Sequence, residues 1–180
     1  LWVAAGATLT LAPGTTFEFA GAFGFGVAGT LTAIGTPTDS IKFIPATGVP
    51  FWKGIDIIQA SAATTTISYC LIKGANTSGI YSNFASPTIS HNFITECSDP
   101  TYGGGINCYQ ISSSTATPLV ADNLITNCTS QNGGGFHCRN CTPILRNNVF
   151  VGNSGTYGGA MAFYFSTGSI TNCLYYGNTG

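Results

Sequence analysis

Residues 142–165 read TPILRNNVFVGNSGTYGGAMAFYF, and the chain repeats versions of this stretch. The preceding segment, TPLVADNLITNCTSQNGGGFHC from Thr117, keeps the same order: Asn and two apolar residues, a small polar residue, a glycine cluster and an apolar run. Repeats with a period of about 20–50 residues are typical of solenoids, in which each copy stacks on its neighbours. The stretch therefore predicts a solenoid whose unit is one coil of the chain.

Alignment of the copies gives three columns of matched residues. The first column holds Asn92, Asn123 and Asn148, with Cys70 and Cys173 at its outer positions, at intervals of 22, 31, 25 and 25 residues. The second column is Ala75, Cys97, Cys128, Asn153 and Asn178, and the third is Gly79-Ile80, Gly105-Ile106, Gly135-Phe136 and Gly159-Ala160. We expect the first column to be an Asn ladder at a tight bend, because Asn tolerates the left-handed conformation and its amide can bond to the Asn above and below.

The spacing of turn residues predicts strands and excludes long helices. Gly or Pro interrupts each long window, and no apolar period of 3.6 residues persists. Near the N-terminus, GTLT at residues 29–32 follows ATLT at residues 7–10 by 22 residues, which is one rung. The predicted fold is all-β: a single-stranded, right-handed parallel β-helix, a three-sheet solenoid of about seven rungs that forms one domain over residues 1–180. Since the sequence has no initiator Met, we expect it to be a segment or processed form of a longer chain.

Composition narrows the classes of function. Charged residues make up 6% of the chain and the net charge is −1, so no basic face is available for nucleic acid. No apolar run is long enough to span a membrane. Seven Cys in a chain rich in Thr and Asn favour an extracellular or cell-surface location. The Asn-x-Ser/Thr sequons at Asn76, Asn127 and Asn140 are candidate glycosylation sites.

The cysteines are the sharpest local signal. Cys97 and Cys128 share one column, and Cys108 and Cys138 both close a Gly-Gly-Gly-x-x-Cys motif, so each pair is a candidate for a disulfide between neighbouring rungs. Buried thiols that pack as small hydrophobic groups are the alternative for each pair. The Cys-x-x-Cys at Cys138 and Cys141 lacks the second ligand pair of a zinc site and the following helix of a redox site. We expect no metal and no cofactor.

A possible catalytic cluster lies just before the Asn ladder. His91 and Asp122 fall in one column there, beside Arg146. A glycosidase needs two carboxylates roughly 5–10 Å apart, and a calcium-dependent lyase needs an acidic cluster. Because this column offers only one Asp, the favoured interpretation is a solvated His and Asp that make a hydrogen bond between rungs, and an enzyme is not expected.

The repeats resemble a known family. The pair FVGN and GGA at residues 150–160, its variants LITN-GGG and FITE-GGG, and the opening GATLTLAPGTTFEF are similar to the right-handed β-helix repeats of bacterial and archaeal surface proteins. That group includes the pectate-lyase-like superfamily and, for the FxxN/GGA pair, polymorphic outer-membrane adhesins. The resemblance implies export and a β-helix, but no particular activity, because the fold carries several.

Two hypotheses of function follow. The first is an extracellular structural or surface protein, an adhesin-like or filament-forming subunit that self-associates end to end through its uncapped first and last rungs. The second is a carbohydrate-binding or polysaccharide-cleaving β-helix whose catalytic residues are incomplete in this segment. In the second, Tyr81, Tyr109 and Tyr164 are the candidates for stacking on sugars.

Overall fold

A computed structural model describes residues 1–58, 65–111 and 116–180, and in these ranges parallel strands alternate with short bends. Within those ranges there is no helix, as the sequence predicted. Three sheets of seven strands each run along the solenoid. Because every strand pairs in parallel with the strand one coil away, the chain coils as a parallel β-helix of seven rungs.

The bounds of the strands are as follows. Sheet A contains β1 (Trp2–Val3), β4 (Gly24–Val27), β7 (Gly54–Ile58), β10 (Ile80–Asn83), β14 (Ile106–Tyr109), β18 (Phe136–Arg139) and β22 (Met161–Tyr164). Sheet B contains β2 (Thr8–Leu11), β5 (Thr30–Ile34), β8 (Thr66–Ser68), β11 (Thr88–Ser90), β15 (Leu119–Ala121), β19 (Ile144–Arg146) and β23 (Ser169–Thr171). Sheet C contains β3 (Thr16–Phe19), β6 (Ile41–Pro45), β9 (Cys70–Lys73), β12 (Phe93–Thr95), β16 (Leu124–Thr126), β20 (Val149–Val151) and β24 (Leu174–Tyr176). A short fourth sheet, sheet D, contains β13 (Ser98–Tyr102), β17 (Thr129–Asn132) and β21 (Ser154–Tyr157).

The core is a set of apolar stacks inside the coil. Alternate residues of each strand point inward, so that Ile72, Ile94, Ile125 and Phe150 stack in register along sheet C. Near the N-terminus the stack is aromatic, with the Phe19 ring 4.2 Å from the Trp52 ring and nearly parallel to it. Burial of these side chains supplies the main driving force for the fold.

The Asn ladder is confirmed, and it runs through the interior. Asn92, Asn123 and Asn148 are all buried. The amide of Asn92 donates to Oδ1 of Asn123, and the amide of Asn123 donates to Oδ1 of Asn148, at 3.0 Å each. Each buried amide is thereby paired, which removes the cost of an unsatisfied polar group.

The expectation that these Asn residues adopt the left-handed conformation is wrong. That conformation belongs to the residue just before each of them: His91, Asp122 and Asn147 have φ of 57°, 58° and 55°. The left-handed residue reverses the chain direction, and the next residue is thereby turned inward. The second column follows the same rule, since Glu96 and Asn127, with φ of 54° and 52°, precede Cys97 and Cys128.

The third column is correct except at its last rung. Ile80 pairs with Ile106, and Ile106 pairs with Phe136, as aligned. Phe136 pairs with Met161, however, so Gly135 lies beside Ala160 and the predicted match to Gly159 is displaced by one residue. The three glycines before Phe136 thus align with Gly158, Gly159 and Ala160.

Candidate functional site

A cleft of about 410 Å³ lies on the outer face of sheet A. Its lining includes Tyr81 from β10, Asn107 and Tyr109 from β14, and Asp99 and Tyr102 from β13. The volume falls within the range of small-ligand sites, which is about 300–1,000 Å³. We call this feature the tyrosine cleft.

Sheet A forms the floor of the cleft because its side chains alternate. Inward positions of β10 and β14 carry Ile80 and Ile106, which are fully buried. The following residues, Tyr81 and Asn107, are register partners on the opposite face. Since parallel strands lie about 4.8 Å apart, these outward side chains form a continuous surface over successive rungs.

Strand β13 forms the wall of the cleft. The carboxylate of Asp99 accepts hydrogen bonds from the backbone N–H groups of Thr101 and Tyr102, each at 2.7 Å. These bonds hold Tyr102 over sheet A, where its ring lies 5.6 Å from that of Tyr109 and 4.7 Å from that of His137. Asp99 therefore shapes the cleft as well as lining it.

A glycine makes the close passage from sheet D to sheet A possible. Gly133 has φ of +66°, and a Cβ there would lie 2.1 Å from the carbonyl oxygen of Phe136. No larger residue fits without moving the backbone. The close packing at Gly133 brings Asn132 of β17 next to sheet A. Its Oδ1 accepts a 2.7 Å hydrogen bond from the hydroxyl of Tyr164.

His137 is fully buried and contacts two residues of the cleft lining, Tyr102 and Asn107. Its Nδ1 donates to Oδ1 of Asn107 at 2.9 Å, since the amide oxygen can only accept. Burial, and then the nearby Arg139 guanidinium, lower the pKa of His137 to about 4, so the ring is neutral at pH 7. Its Nε2 is buried and has no hydrogen-bond partner among the described residues.

Carboxylates give the cleft a negative character. The pKa of Tyr81 is raised to about 12, chiefly by burial and then by Asp56, Tyr109 and Asp99. Burial likewise raises the pKa of Asp56, whose Oδ1 has no partner among the described residues. Tyr81 therefore stays protonated at neutral pH and can donate its hydroxyl to a ligand.

A second, smaller hollow of about 270 Å³ continues the cleft along sheet A. Tyr81 and Thr77 line both hollows. Trp2, 58% exposed, lines the far side of the smaller one. Aromatic side chains thus flank a groove that crosses several rungs.

The predicted catalytic candidates lie elsewhere, at the bend between sheets B and C. The His91 ring stacks on Tyr69 with centroids 4.6 Å apart, and Asp122 accepts a 2.9 Å hydrogen bond from the amide of Asn147. The Asp122 N–H donates to the backbone oxygen of Arg146, whose side chain is exposed. The column is as aligned, and Asp122 makes a hydrogen bond between rungs. Its partner is Asn147, however, whereas His91 stacks on Tyr69.

All seven cysteines are free thiols in the structure. Cys108 and Cys138 are direct register partners, and Cys97 and Cys128 follow each other at the second bend, as the columns predicted. Each of these pairs is therefore present in the structure as two buried thiols and not as a disulfide. Burial raises the pKa of Cys108 well above its usual range, which keeps that thiol protonated.

The candidate glycosylation residues differ in accessibility. Asn127 is exposed, and Asn76 is partly buried. The amide of the partly buried Asn140 donates to the backbone oxygen of Gln110 at 2.8 Å. Glycosylation remains a prediction, and Asn127 is the sterically open site.

Two absences hold for the described residues. No group of three or more His, Cys, Asp or Glu is arranged to hold a metal ion in those ranges. In the same part of the chain, no helix has the length and apolar character needed to cross a membrane.

Of its three tyrosine candidates, sequence reasoning placed Tyr81 and Tyr109 correctly, whereas Tyr164 is not part of the lining and bonds to Asn132. Asn107 was visible in principle, since it follows the aligned Ile106 and therefore faces outward. Asp99 and Tyr102 had no such signal, because they lie in an insertion without a partner in the shorter repeats.

Comparison with known proteins identifies the repeat. A family model described as "Right handed beta helix region" matches residues 49–180, which is well over half of the chain. The match agrees with the handedness expected for parallel crossovers. No curated protein and no solved structure matches the chain.

Proposed function

Starting from the membership of this chain in the right-handed β-helix family, we propose that it is an extracellular or cell-surface protein that binds neutral carbohydrate in the tyrosine cleft. The observation that carries the proposal is the convergence of Tyr81, Tyr102 and Tyr109 on one cleft with Asp99 and Asn107. Aromatic rings present flat apolar faces, which suit the C–H faces of sugar rings. The carboxylate and amide between them suit sugar hydroxyls.

Charge supports a neutral ligand. The tyrosine cleft is lined by Asp99 and by no Lys or Arg. Asp56 lies close enough to raise the pKa of Tyr81. A uronic acid or a phosphate would meet repulsion there, so a neutral sugar is favoured over an acidic one.

The test is a binding measurement with defined polysaccharides. We expect neutral glucans, mannans or galactans to bind to the purified chain, and we expect pectin to bind at least tenfold more weakly. Replacement of Tyr81 by Ala should weaken binding by about tenfold, which corresponds to a stacking energy of about 1–1.5 kcal/mol.

The matched control is Phe93→Ala. Phe93 is 42% exposed and lies on β12, an internal strand of sheet C, away from the cleft and from the end rungs. Equal loss of affinity in both variants, stronger binding of pectin than of neutral polymers, or no binding of any neutral polymer would overturn the proposal. Release of new reducing ends during the assay would assign cleavage in addition to binding.

Self-association through the end rungs is a second proposal. Leu1 and Trp2 on the first rung, and Leu174 and Tyr176 on the last, are each more than half exposed. Exposed apolar groups on these strands favour pairing with a further rung, either from a flanking part of the same protein or from another copy. Sedimentation that shows only monomers over a wide range of concentration would count against it.

A further inference from the structure

The turn after β18 holds two cysteines whose sulfur atoms nearly touch. Sγ of Cys138 lies 2.6 Å from Sγ of Cys141, and both residues are almost fully buried. Two sulfur atoms that are not bonded cannot approach this closely without repulsion, whereas a covalent bond places them about 2.05 Å apart. The backbone of the turn therefore already brings the pair to the separation at which little movement is needed to form a bond.

We propose that Cys138 and Cys141 form a disulfide within this turn. Two thiols lose two protons and two electrons to make one S–S bond. The electrons reduce a small-molecule or protein disulfide to two thiols by exchange through a mixed disulfide. The bond is distinct from the pairing of Cys108 with Cys138 that the repeat alignment suggests.

The surroundings favour Cys141 over Cys108 as the partner of Cys138. Cys108 and Cys138 are neighbours in a parallel ladder, where side chains point in the same direction and the Cβ atoms stay apart. Cys141 lies after the bend at Asn140, which has φ of 56°, so its side chain returns toward Cys138. Its Sγ contacts the backbone oxygen of Cys108, 3.4 Å away, which leaves it between the two rungs.

Polar contacts support the reactivity of the pair. The thiol of Cys138 donates to Oγ of Ser166, 3.3 Å away, because the hydroxyl of Ser166 itself donates to the backbone oxygen of Tyr164. The hydrogen bond with Cys141 is the largest influence on the pKa of Cys138 and lowers it, whereas burial raises it. A thiolate is the species that attacks a disulfide, so Cys138 is the attacking group.

The bond would fix the two residues that it encloses. The guanidinium carbon of Arg139 lies 5.6 Å from the ring centre of Tyr109, which lines the tyrosine cleft. The amide of Asn140 donates to Gln110 of the neighbouring rung. A disulfide in this turn therefore fixes the contact of Arg139 with the cleft residue Tyr109. It also fixes the hydrogen bond of Asn140 to the neighbouring rung.

Tryptic digestion tests the proposal because Arg139 lies between the two cysteines. Cleavage after Arg139 and Arg146 releases residues 140–146, NCTPILR, in which Cys141 is the only cysteine. Residues 74–139 carry Cys97, Cys108, Cys128 and Cys138, so a bond between Cys97 and Cys128 or between Cys108 and Cys138 stays inside that one peptide.

The full chain is refolded in a mixture of oxidised and reduced glutathione, alkylated under denaturing conditions without reductant, and digested. We expect NCTPILR to remain joined to residues 74–139 until reductant is added. The link should persist in Cys108→Ser and disappear in Cys138→Ser, with circular dichroism confirming that both variants fold.

Thermal unfolding provides a second readout. Reductant should lower the melting temperature of the wild type by about 4–8 °C, as expected for a bond that closes a short loop. It should not affect Cys141→Ser. Release of NCTPILR with Cys141 alkylated and no reductant present, or a link that survives in Cys138→Ser, would overturn the proposal.

Discussion

Oδ1 of Asn123 accepts both the backbone N–H and the side-chain amide of Asn92, each at 3.0 Å. One oxygen thus satisfies two donors of the rung beside it, and the amide of Asn123 passes the pattern on to Asn148. The ladder is a buried network in which every member depends on the next.

Replacement of Asn123 by Ala should therefore destabilise the coil strongly. The change removes the acceptor of two N–H groups of Asn92 and the donor to the backbone oxygen of Ile89. Oδ1 of Asn148 loses one of its two donors and keeps the backbone N–H of residue 123. We expect the free energy of unfolding to fall by about 2–4 kcal/mol in chemical denaturation. The exposed Gln131→Ala is the control and should change it by less than about 0.5 kcal/mol. Similar values for the two variants would contradict a structural role for the ladder.

Two substitutions at the left-handed bend separate the effect of backbone strain on stability from the effect of the side-chain hydrogen bond. Asn147 has φ of 55°, which a β-branched residue adopts only with strain. Asn147→Val should cost about 1–2 kcal/mol of stability. Asn147→Gly loses the same exposed hydrogen bond to Asp122, but glycine adopts a positive φ without strain. This variant should therefore change the stability little. Equal destabilisation by Val and Gly would show that the side-chain contact decides.

His137 should make stability depend on pH in a defined window. Its pKa is about 4 in the folded protein and about 6.5 when unfolded, so the unfolded chain binds the proton first as pH falls. The contribution of neutral His137 to the free energy of unfolding is complete above about pH 6.5. It is lost as the pH falls toward 4, at no more than about 1.4 kcal/mol per pH unit. The measurement is the free energy of unfolding of the wild type minus that of His137→Gln from pH 7 to pH 4.5. A difference that does not change with pH would rule out a buried neutral imidazole.

Removal of the carboxylate at Asp56 should ease the ionisation of Tyr81. The pKa of Tyr81 is raised to about 12, and Asp56 is the first of its charged causes after burial. We expect Asp56→Asn to lower that pKa, as followed by the ultraviolet absorbance of the phenolate during alkaline titration. Glu18→Gln removes an exposed carboxylate on sheet C and should leave the pKa unchanged. No shift in Asp56→Asn would show that the Asp56 carboxylate does not contribute to the raised pKa of Tyr81.

Much of the architecture was predictable from the repeat. Matching Asn92 with Asn123 and Asn148 placed Phe93, Leu124 and Val149 in one register, and the structure has that register. The prediction worked because a parallel coil brings together residues one period apart, so spacing along the chain translates directly into contact. It was wrong by one residue beside Met161, where Ala160 takes the place of the third glycine.

The sequence by itself thus determined the coil, its seven rungs and the inward ladders of apolar, Asn and Cys side chains, since each of these repeats with the period. The tertiary structure alone decided the tyrosine cleft and the approach of Cys138 to Cys141. Tyr102 reaches sheet A because Asp99 binds two backbone N–H groups of its own insertion, and Cys141 turns back because Asn140 is left-handed. The left-handed residue recurs after two other strands of sheet A, at Phe84 and Phe165, but only Asn140 of these three is followed by a cysteine. The bonds of Asp99 lie in an insertion, and a periodic pattern carries no information about features that do not repeat.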